Sequence, residues 1–441
     1  GPQAADVLSR LFRADSGIDA GNMESHRLYY GGLYAPEDGQ LLDQGLAVIM
    51  RAPRSYTGEE VAELHLHGGL RLLRLALSAA LQAGARLARP GEFSLRAFLN
   101  GKLDLSQAEA VQDMIAAGSR RGLLQAAAQL TGSLAARVSA LEQELTDILA
   151  LITVGVDFPD DADAPDAGQL LSRLHSALGE TESLLRNADT GRLYREGLPV
   201  ALVGAVNAGK SSLLNRLLET DRAIVTDQPG TTRDLIEETI DLDGLPLKLC
   251  DTAGFRAEGD CGPAERLGLE RSRRAMEQAR LILLVIDASQ DLDQASIDLL
   301  WETHWRPRLL LLNKCDIASP NMLNLVKSRT EYEGKAEDRL VISARTGEGI
   351  AGLRGAILRK AGAEPGLEAE PPAVGNLRHQ QALLAAQESL RMAIQALDSG
   401  LPADIAAIDI ENACAALGEI SGRTVSEQVL ARIFSQFCLG K

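Results

Sequence analysis

The chain has 441 residues, of which 45% are hydrophobic and 24% charged, which is enough for two or three packed domains. Its formal charge of −16 argues against a protein that coats nucleic acid electrostatically, and its 3% aromatic content favours helices over sheets. Its five cysteines form no C-x-x-C pair and no zinc spacing, and no apolar run is long enough for a membrane span. These features predict a cytoplasmic protein without a membrane partner.

The order of helical and strand-rich segments predicts a multidomain protein. Residues 1–100 mix helices with short strands, as in an α+β domain, and Ser106 is predicted to cap a long helix. Helical periodicity covers residues 101–196 and, after a linker rich in proline and glycine, resumes from Leu377 within residues 363–441. A strand-rich segment at 197–362 lies between the two. Neither helical stretch buries a complete face alone, so the pattern predicts an α/β domain inserted into an all-α domain.

A phosphate-binding loop opens the inserted domain. The apolar run at 200–203 predicts a buried strand, and Gly204-Ala205-Val206-Asn207-Ala208-Gly209-Lys210-Ser211 follows it directly, before a helix. The glycines permit a tight turn whose N–H groups point at phosphate oxygens. Lys210 is predicted to neutralise the β and γ phosphates and Ser211 to ligate magnesium.

Later motifs identify the base as guanine. Asp316, in Asn313-Lys314-Cys315-Asp316, can accept hydrogen bonds from the guanine N1–H and exocyclic amine, whereas adenine offers an acceptor there. Ser343-Ala344-Arg345 follows a strand and can supply an N–H to the guanine oxygen. With the loops that contain Thr232 and Asp251, these make five motifs in order, each at a strand end, and predict a Ras-like G domain that binds GTP and GDP.

Two loops complete the predicted site. Thr232 is predicted to ligate magnesium together with Ser211, and Asp251 to bind the same ion through a water molecule. Gly254 is predicted to donate its N–H to the γ-phosphate. The residues predicted to bind GTP are Asn207, Ala208, Gly209, Lys210, Ser211, Ser212, Thr226, Asp227, Gln228, Pro229, Gly230, Thr231, Thr232, Asp251, Thr252, Ala253, Gly254, Asn313, Lys314, Asp316, Ser343, Ala344 and Arg345.

The expected water-orienting glutamine after Gly254 is replaced by Phe255, whose apolar side chain cannot position water. Hydrolysis therefore needs another stabiliser, and the residues leave three candidates: an arginine, a carboxylate from the following segment, or a second cation.

The chain resembles, over nearly its whole length, the MnmE (TrmE) family of bacterial GTPases of tRNA wobble-uridine modification. The resemblance rests on Gly-Thr-Thr-Arg-Asp at 230–234, Arg-Pro-Gly-Glu-Phe at 89–93, Lys-Leu-Asp-Leu at 102–105, Asp-Phe-Pro-Asp at 157–160 and the terminal Phe-Cys-Leu-Gly-Lys. It implies an N-terminal domain that dimerises and binds 5-formyl-tetrahydrofolate or a related folate, followed by a helical domain with an inserted G domain.

The resemblance also implies roles for individual residues. Potassium would be held by Asn207, Thr226, Gln228 and Thr231. The catalytic set would be Glu265, which orients water, with Asn207 and Lys210. Folate would be bound by Glu63, Lys102 and Lys441, and the thiol of Cys438 has either a chemical role or a packing role. The implied partners are a second copy, tRNA and a flavin-dependent protein of the MnmG type, in a heterotetramer that acts on carbon 5 of uridine 34.

Two other functions remain as hypotheses. One is an RNA- or ribosome-associated switch GTPase without modification chemistry, which the G-domain motifs alone would fit. The other is a folate-dependent one-carbon enzyme that GTP merely regulates. The terminal motif argues against the first, and the second would require turnover without tRNA.

Overall fold

The structure is a computed structural model that describes residues 1–157, 166–220, 237–251, 275–330, 338–363 and 374–437. The chain divides into two compact units, residues 1–112 with 417–441, and residues 113–416. No helix within the described ranges has both the length and the apolar character needed to cross a membrane.

A four-stranded antiparallel sheet forms the base of the first unit. Its strands are β1 (Phe12–Ala14), β2 (Leu28–Tyr34), β3 (Leu41–Met50) and β4 (Val61–His65), in that order across the sheet. Gly31 on β2 pairs with Gly45 on β3. A Cβ on Gly31 would lie 2.1 Å from the Arg13 carbonyl oxygen, so this point of the sheet accepts only glycine.

Helices complete the first unit. They are α1 (Ala4–Leu11), α2 (Leu70–Gln82), α3 (Glu92–Leu99) and the first part of α4 (Leu105–Ala116), with the end of α14 (Ala403–Ser421) and α15 (Glu427–Ser435). Phe434 and Phe437 are buried with Leu105 and Ala108, so the last described residues pack on α3 and α4.

Four further helices lead to the inserted domain: α5 (Arg120–Leu130), α6 (Ser133–Asp157), α7 (Ala167–Leu185) and α8 (Ala188–Glu196). The predicted cap at Ser106 is wrong. Asp104 Oδ1 accepts the Gln107 N–H at 2.9 Å, while Ser106 lies inside the helix and donates its hydroxyl to the same oxygen. The long helix predicted to open at Ser106 ends at Ala116, and Ser119 caps the next helix, α5, by accepting the Gly122 N–H.

The helix after the insertion packs on a helix before it. This is α13 (Leu377–Asp398), which lies along α7, and Glu182 accepts hydrogen bonds from Gln387 at 3.3 Å and Arg391 at 3.0 Å. Leu174 on α7 and Leu390 on α13 are fully buried. The predicted insertion of a strand-rich domain between two packed helical segments is therefore confirmed.

The inserted domain contains a six-stranded sheet in the order β10-β9-β8-β5-β7-β6, parallel except for β6. Its strands are β5 (Leu198–Gly204), β6 (Glu237–Leu242), β7 (Leu245–Asp251), β8 (Leu281–Asp287), β9 (Arg308–Asn313) and β10 (Arg339–Val341). Its described helices are α9 (Lys210–Thr220), α10 (Gln294–Glu302), α11 (Pro320–Arg329) and α12 (Ile350–Ala361). Buried clusters on both faces of the sheet show a doubly covered α/β domain.

Candidate GTP-binding site

The phosphate loop joins the end of β5 to the start of α9, as predicted. Asn207 has φ 64° and Gly209 has φ 98°, so the chain turns sharply before Lys210 begins the helix. A Cβ on Gly204 would lie 2.4 Å from the Val285 carbonyl oxygen, and one on Gly209 would lie 2.2 Å from Asn313 Nδ2. Close contacts therefore require both glycines, and the positive φ of Gly209 adds a backbone requirement at that position.

Lys210 is held inside the loop. Its Nζ donates to the carbonyl oxygens of Gly204 and Ala205, each at 2.8 Å, and the residue is only 8% exposed. Ser211 and Ser212 follow in the first turn of α9 and are exposed. The ammonium group and the N-terminal end of α9 thus lie together, which favours binding of an anion such as phosphate.

Asn313 connects two of the predicted motifs. Its Nδ2 donates to the Ala208 carbonyl oxygen at 2.8 Å, and its Oδ1 accepts the Ala344 N–H at 2.9 Å. The side chain is 2% exposed and uses both ends of its amide. It therefore holds the phosphate loop and the Ser343–Arg345 loop at a fixed separation, a bridging role that the sequence analysis did not assign to it.

Asp316 is oriented by the same loop. Ser343 Oγ donates to its Oδ1 at 2.7 Å, and Arg345 Nη2 lies 2.6 Å from its Oδ2. The hydrogen bond from Ser343, which outweighs the effect of burial, lowers the pKa of the Asp316 carboxyl, with a further contribution from Arg345. The group is thus an ionised acceptor at neutral pH, as recognition of guanine requires.

Two residues that contact the predicted motifs, Asp287 and Arg216, were not predicted. Lys314, at φ 64°, donates to Asp287 Oδ2 at 2.7 Å. Burial raises the pKa of the Asp287 carboxyl, but the hydrogen bonds from Lys314 and Ser289 together outweigh it and lower that pKa. Arg216 on α9 donates from Nε to the Ala344 carbonyl oxygen at 3.1 Å. Asp287 is the last residue of a strand, and this position could have marked it as a candidate site residue. Arg216 lies within a helix, and its position in the sequence gives no such signal.

The magnesium donors are partly described. Asp251 ends β7 and pairs with Leu202 on β5, the strand that leads into the phosphate loop. Ser211 and Asp251 supply hard oxygen donors of the kind that magnesium prefers. No cluster of three or more His, Cys, Asp or Glu that could bind a metal occurs among the described residues. The assignment of Ser211, Thr232 and Asp251 to magnesium stays a prediction.

Several predicted site residues lie outside the described ranges, and their assignments stay predictions. They are Thr226, Asp227, Gln228, Pro229, Gly230, Thr231, Thr232, Thr252, Ala253, Gly254, Glu265, Cys438 and Lys441.

The two described folate candidates lie in the first unit. Glu63 is half exposed on β4, with its Oε2 at 3.5 Å from His65 Nε2. Lys102 is exposed and donates to the Pro53 carbonyl oxygen at 3.4 Å. A cavity of about 470 Å³ in this unit is lined by other residues, including Val61, Glu92 and Arg96. The structure does not bring Glu63 and Lys102 into this cavity.

The fold and the site define a GTP-binding domain of the P-loop GTPase class, set within a helical protein. The family model described as MnmE helical domain matches residues 105–438, and that described as GTP-binding protein TrmE N-terminus matches residues 1–102. The chain belongs to the MnmE (TrmE) family.

Curated relatives agree over nearly the whole length. The tRNA modification GTPase MnmE of Synechococcus sp. (strain JA-3-3Ab) is 44% identical over 95% of this chain and 89% of its own. The proteins of the same name from Symbiobacterium thermophilum and Chloroflexus aurantiacus are 43% and 44% identical, each over 100% of this chain and 95% of their own.

Proposed function

We propose that this chain is a cytoplasmic, potassium-activated GTPase that hydrolyses GTP when the G domains of two copies pair. With a flavin-dependent partner of the MnmG type, it installs an aminomethyl-type group at carbon 5 of the tRNA wobble uridine. The Asn313 bridge is the observation that carries the GTPase part, because it joins phosphate and base recognition in one site. The tRNA part is supported by family membership.

The chain's own residues account for binding and charge stabilisation. Lys210 would exchange its loop carbonyls for the β and γ phosphates, and the N–H groups at the start of α9 would surround their oxygens. Asp316 would read the guanine edge from a position fixed by Ser343. These groups are set before the reaction, so they cost little reorganisation in the transition state.

Asn207 fits the proposed potassium site. It is exposed in the left-handed conformation at the tip of the phosphate loop, so its amide oxygen is available to a cation. A cation beside the phosphates offsets the negative charge that develops during hydrolysis. Thr226, Gln228 and Thr231 would complete its coordination, and Glu265 would orient the attacking water.

Homodimer formation is supported by exposed leucines in the first unit. Leu70, Leu73 and Leu77 on α2 are between 50% and 68% exposed. Their spacing of three and four residues places them on one face of the helix, where a second copy would bury them.

A folate that carries a one-carbon unit would be held by Glu63, Lys102 and Lys441. Glu63 and Lys102 are both accessible, and a carboxylate suits the amino-pyrimidine edge while an ammonium suits the glutamate tail. Whether the thiol of Cys438 takes part is tested by Cys438→Ser, since unchanged tRNA modification would assign it to packing.

The first test is GTP turnover in KCl against NaCl at matched ionic strength, over a range of protein concentrations. We expect roughly tenfold or greater stimulation by potassium, as for loss of one stabilising contact in a transition state, and specific activity that rises with concentration. Asn207→Gly, which keeps the positive φ, should lose the stimulation, whereas Val206→Ala should keep it.

Equal rates in both salts would remove potassium from the mechanism. Assaying wobble-uridine modification by mass spectrometry with the flavin-dependent partner separates the remaining alternatives. GTP turnover without any modification would favour a switch GTPase.

A further inference from the structure

The β6–β7 hairpin ends in a two-residue turn with a carboxylate at its base. Asp243 has φ 51° and Gly244 has φ 93°, the positive pair of a tight hairpin turn. Asp241 Oδ1 accepts the Gly244 N–H at 2.6 Å, which closes the turn. Asp243 forms an ion pair with Arg354 on α12 at 2.8 Å, so its contact stays within the inserted domain.

The second oxygen of the same carboxylate binds the start of α5, outside the inserted domain. The Arg120 N–H, the first of the helix, donates to Asp241 Oδ2 at 3.2 Å. Ser119 already caps the Gly122 N–H at 3.1 Å, so the two acceptors serve different N–H groups at this helix terminus. An anionic group at this position is also favoured by the helix dipole.

Packing reinforces this contact on both sides. The stem of Arg121 covers the turn so closely that a Cβ on Gly244 would lie 2.7 Å from its Cγ. Arg121 Nη1 also donates to the Tyr194 hydroxyl at 2.5 Å. On the other side, a Cβ on Gly118 would lie 3.3 Å from Thr239 Cγ2 and 3.5 Å from Pro246 Cβ. Residues 118–121 therefore contact both strands of the hairpin and its turn.

The opposite end of the hairpin meets the nucleotide site. Residues 221–236, with the predicted ligands Thr231 and Thr232, lead directly into β6, and β7 ends at Asp251, the predicted magnesium residue. An antiparallel pair of six residues extends about 20 Å, so continuous strand pairing connects the nucleotide end of the hairpin to its turn.

We propose that the β6–β7 hairpin transmits the nucleotide state to α5, with Asp241 as the positioning residue that fixes the start of α5 to the turn. This proposal rests on the proposed function in one respect, which is that the chain binds GTP and GDP. Within the part of the chain that the structure describes, Asp241 contacts no predicted nucleotide ligand, so we assign it a role through the hairpin and not on the reaction.

Two substitutions remove the contact from its two sides. Asp241→Asn leaves one oxygen acceptor for two N–H donors. Arg120→Pro deletes the donating N–H at the first helical position, where proline is tolerated, and the extended Ser119 is compatible with a following proline. There are two matched controls. Asp243→Asn changes a carboxylate of the same turn that contacts Arg354 and not α5. Arg120→Ala removes the exposed side chain but keeps the N–H.

The measurement is hydrogen–deuterium exchange of residues 120–130 in the full chain, loaded with magnesium and either GDP or a non-hydrolysable GTP analogue. We expect the wild type and both controls to show about a tenfold difference in exchange between the two nucleotides, the effect of one hydrogen bond to a charged group on local opening. Asp241→Asn and Arg120→Pro should lose this difference between the two nucleotides. A purely local weakening of α5 would instead raise exchange equally with both nucleotides.

Two results would overturn the proposal: no nucleotide-dependent exchange in wild-type α5, or a retained difference in both test variants. GTP binding and turnover are measured on the same samples. Intact turnover with an unresponsive α5 refutes the relay alone, whereas absent GTP binding refutes the proposed function.

Discussion

At the scale of the residue, the proposed recognition of guanine depends on Asp316 being charged and correctly oriented. Ser343 and Arg345 each contact one of its oxygens, and the remaining lone pairs are free to accept from a base. Asp316→Asn places an amide donor against the guanine amine. GTP affinity should fall by about 10- to 150-fold, the cost of about 1.5–3 kcal/mol for a hydrogen bond to a charged group.

Xanthosine triphosphate should regain part of the lost affinity, because its 2-oxo group accepts from the new amide. Calorimetric titration with GTP and with xanthosine triphosphate measures the two affinities in the wild type and the variant. Asp338→Asn serves as the control, since Asp338 forms an ion pair with Lys360 elsewhere in the same domain. Equal loss for both nucleotides would contradict a direct contact with the base.

Glu92 makes the stability of the first unit dependent on pH. Its carboxylate accepts from Arg86 at 2.8 Å, from the Arg89 N–H at 2.9 Å and from Arg96 at 2.7 Å. The hydrogen bond from Arg86, together with the others, holds the pKa of the Glu92 carboxyl well below its usual range. A lowered folded-state pKa gives stability that is present above the unfolded pKa of about 4.3 and is lost as the pH falls below it.

Glu92→Gln should therefore destabilise the protein at pH 7 by roughly 1–2 kcal/mol, allowing for partial screening by solvent. The difference from wild type should shrink as the pH is lowered from about 5 towards 3. Urea unfolding at several pH values measures both effects. An unchanged difference at pH 3.5 would show that the lost contribution is not the ionised carboxylate.

The residues of the site could be predicted where they occur in fixed motifs. Lys210, Asn313 and Asp316 could be assigned to the candidate site because binding of phosphate and guanine would impose their spacing and their positions next to strand ends. Arg216 was missed because its role depends on a contact with a loop more than a hundred residues away. The bridging role of Asn313 was missed for the same reason, since a motif identifies a residue type and not its partners.

At the scale of the element, α13 should contribute to stability through one face only. Leu390 is fully buried and Leu384 is 47% exposed on the same helix. Leu390→Ala should lower the free energy of unfolding by about 2–5 kcal/mol, whereas Leu384→Ala should change it by less than about 0.5 kcal/mol. Chemical denaturation followed by circular dichroism measures both. Similar losses for the two variants would contradict the described packing of α13 on α7.

Helix type was predictable over residues 101–196, but the helix ends were not. Periodicity identified the apolar faces, yet it did not locate the breaks near Gly118 and Gly132. Gly132 has φ 82°, a conformation that ends a helix and that glycine adopts freely. Asp104 and Ser106 are both good caps, and only the backbone geometry decides between them.

At the scale of the whole molecule, the two ends of the insertion lie close together. Gln380 donates to Asp189 at 3.3 Å, and a Cβ on Gly375 would lie 3.1 Å from the Gly191 carbonyl oxygen. Replacing residues 197–374 with a short glycine-serine linker should therefore leave α5 to α8 and α13 folded. Leu193 and Tyr194 lose their contacts with the inserted domain, at a cost of roughly 1.5–3 kcal/mol each.

Far-UV circular dichroism and thermal unfolding of this deletion variant test the prediction, with cooperative unfolding expected. A control deletion of residues 188–374 also removes α8 and its packing on α5, and should fail to unfold cooperatively. Loss of cooperativity in both variants would show that the helices need the inserted domain.

The insertion itself was predictable from two incomplete helical faces, whereas the assignment of residues 417–437 to the first unit was not, because it rests on contacts of Phe434 and Phe437.

The pairing of α7 with α13 has a consequence for synthesis on the ribosome. Glu182 is 205 residues away from its partner Gln387 along the chain. At a translation rate of about 5–20 residues per second, α13 is synthesised roughly 10–40 s after α7. During that interval the inserted domain can fold on its own, while the apolar face of α7 stays exposed to chaperones and to neighbouring nascent chains.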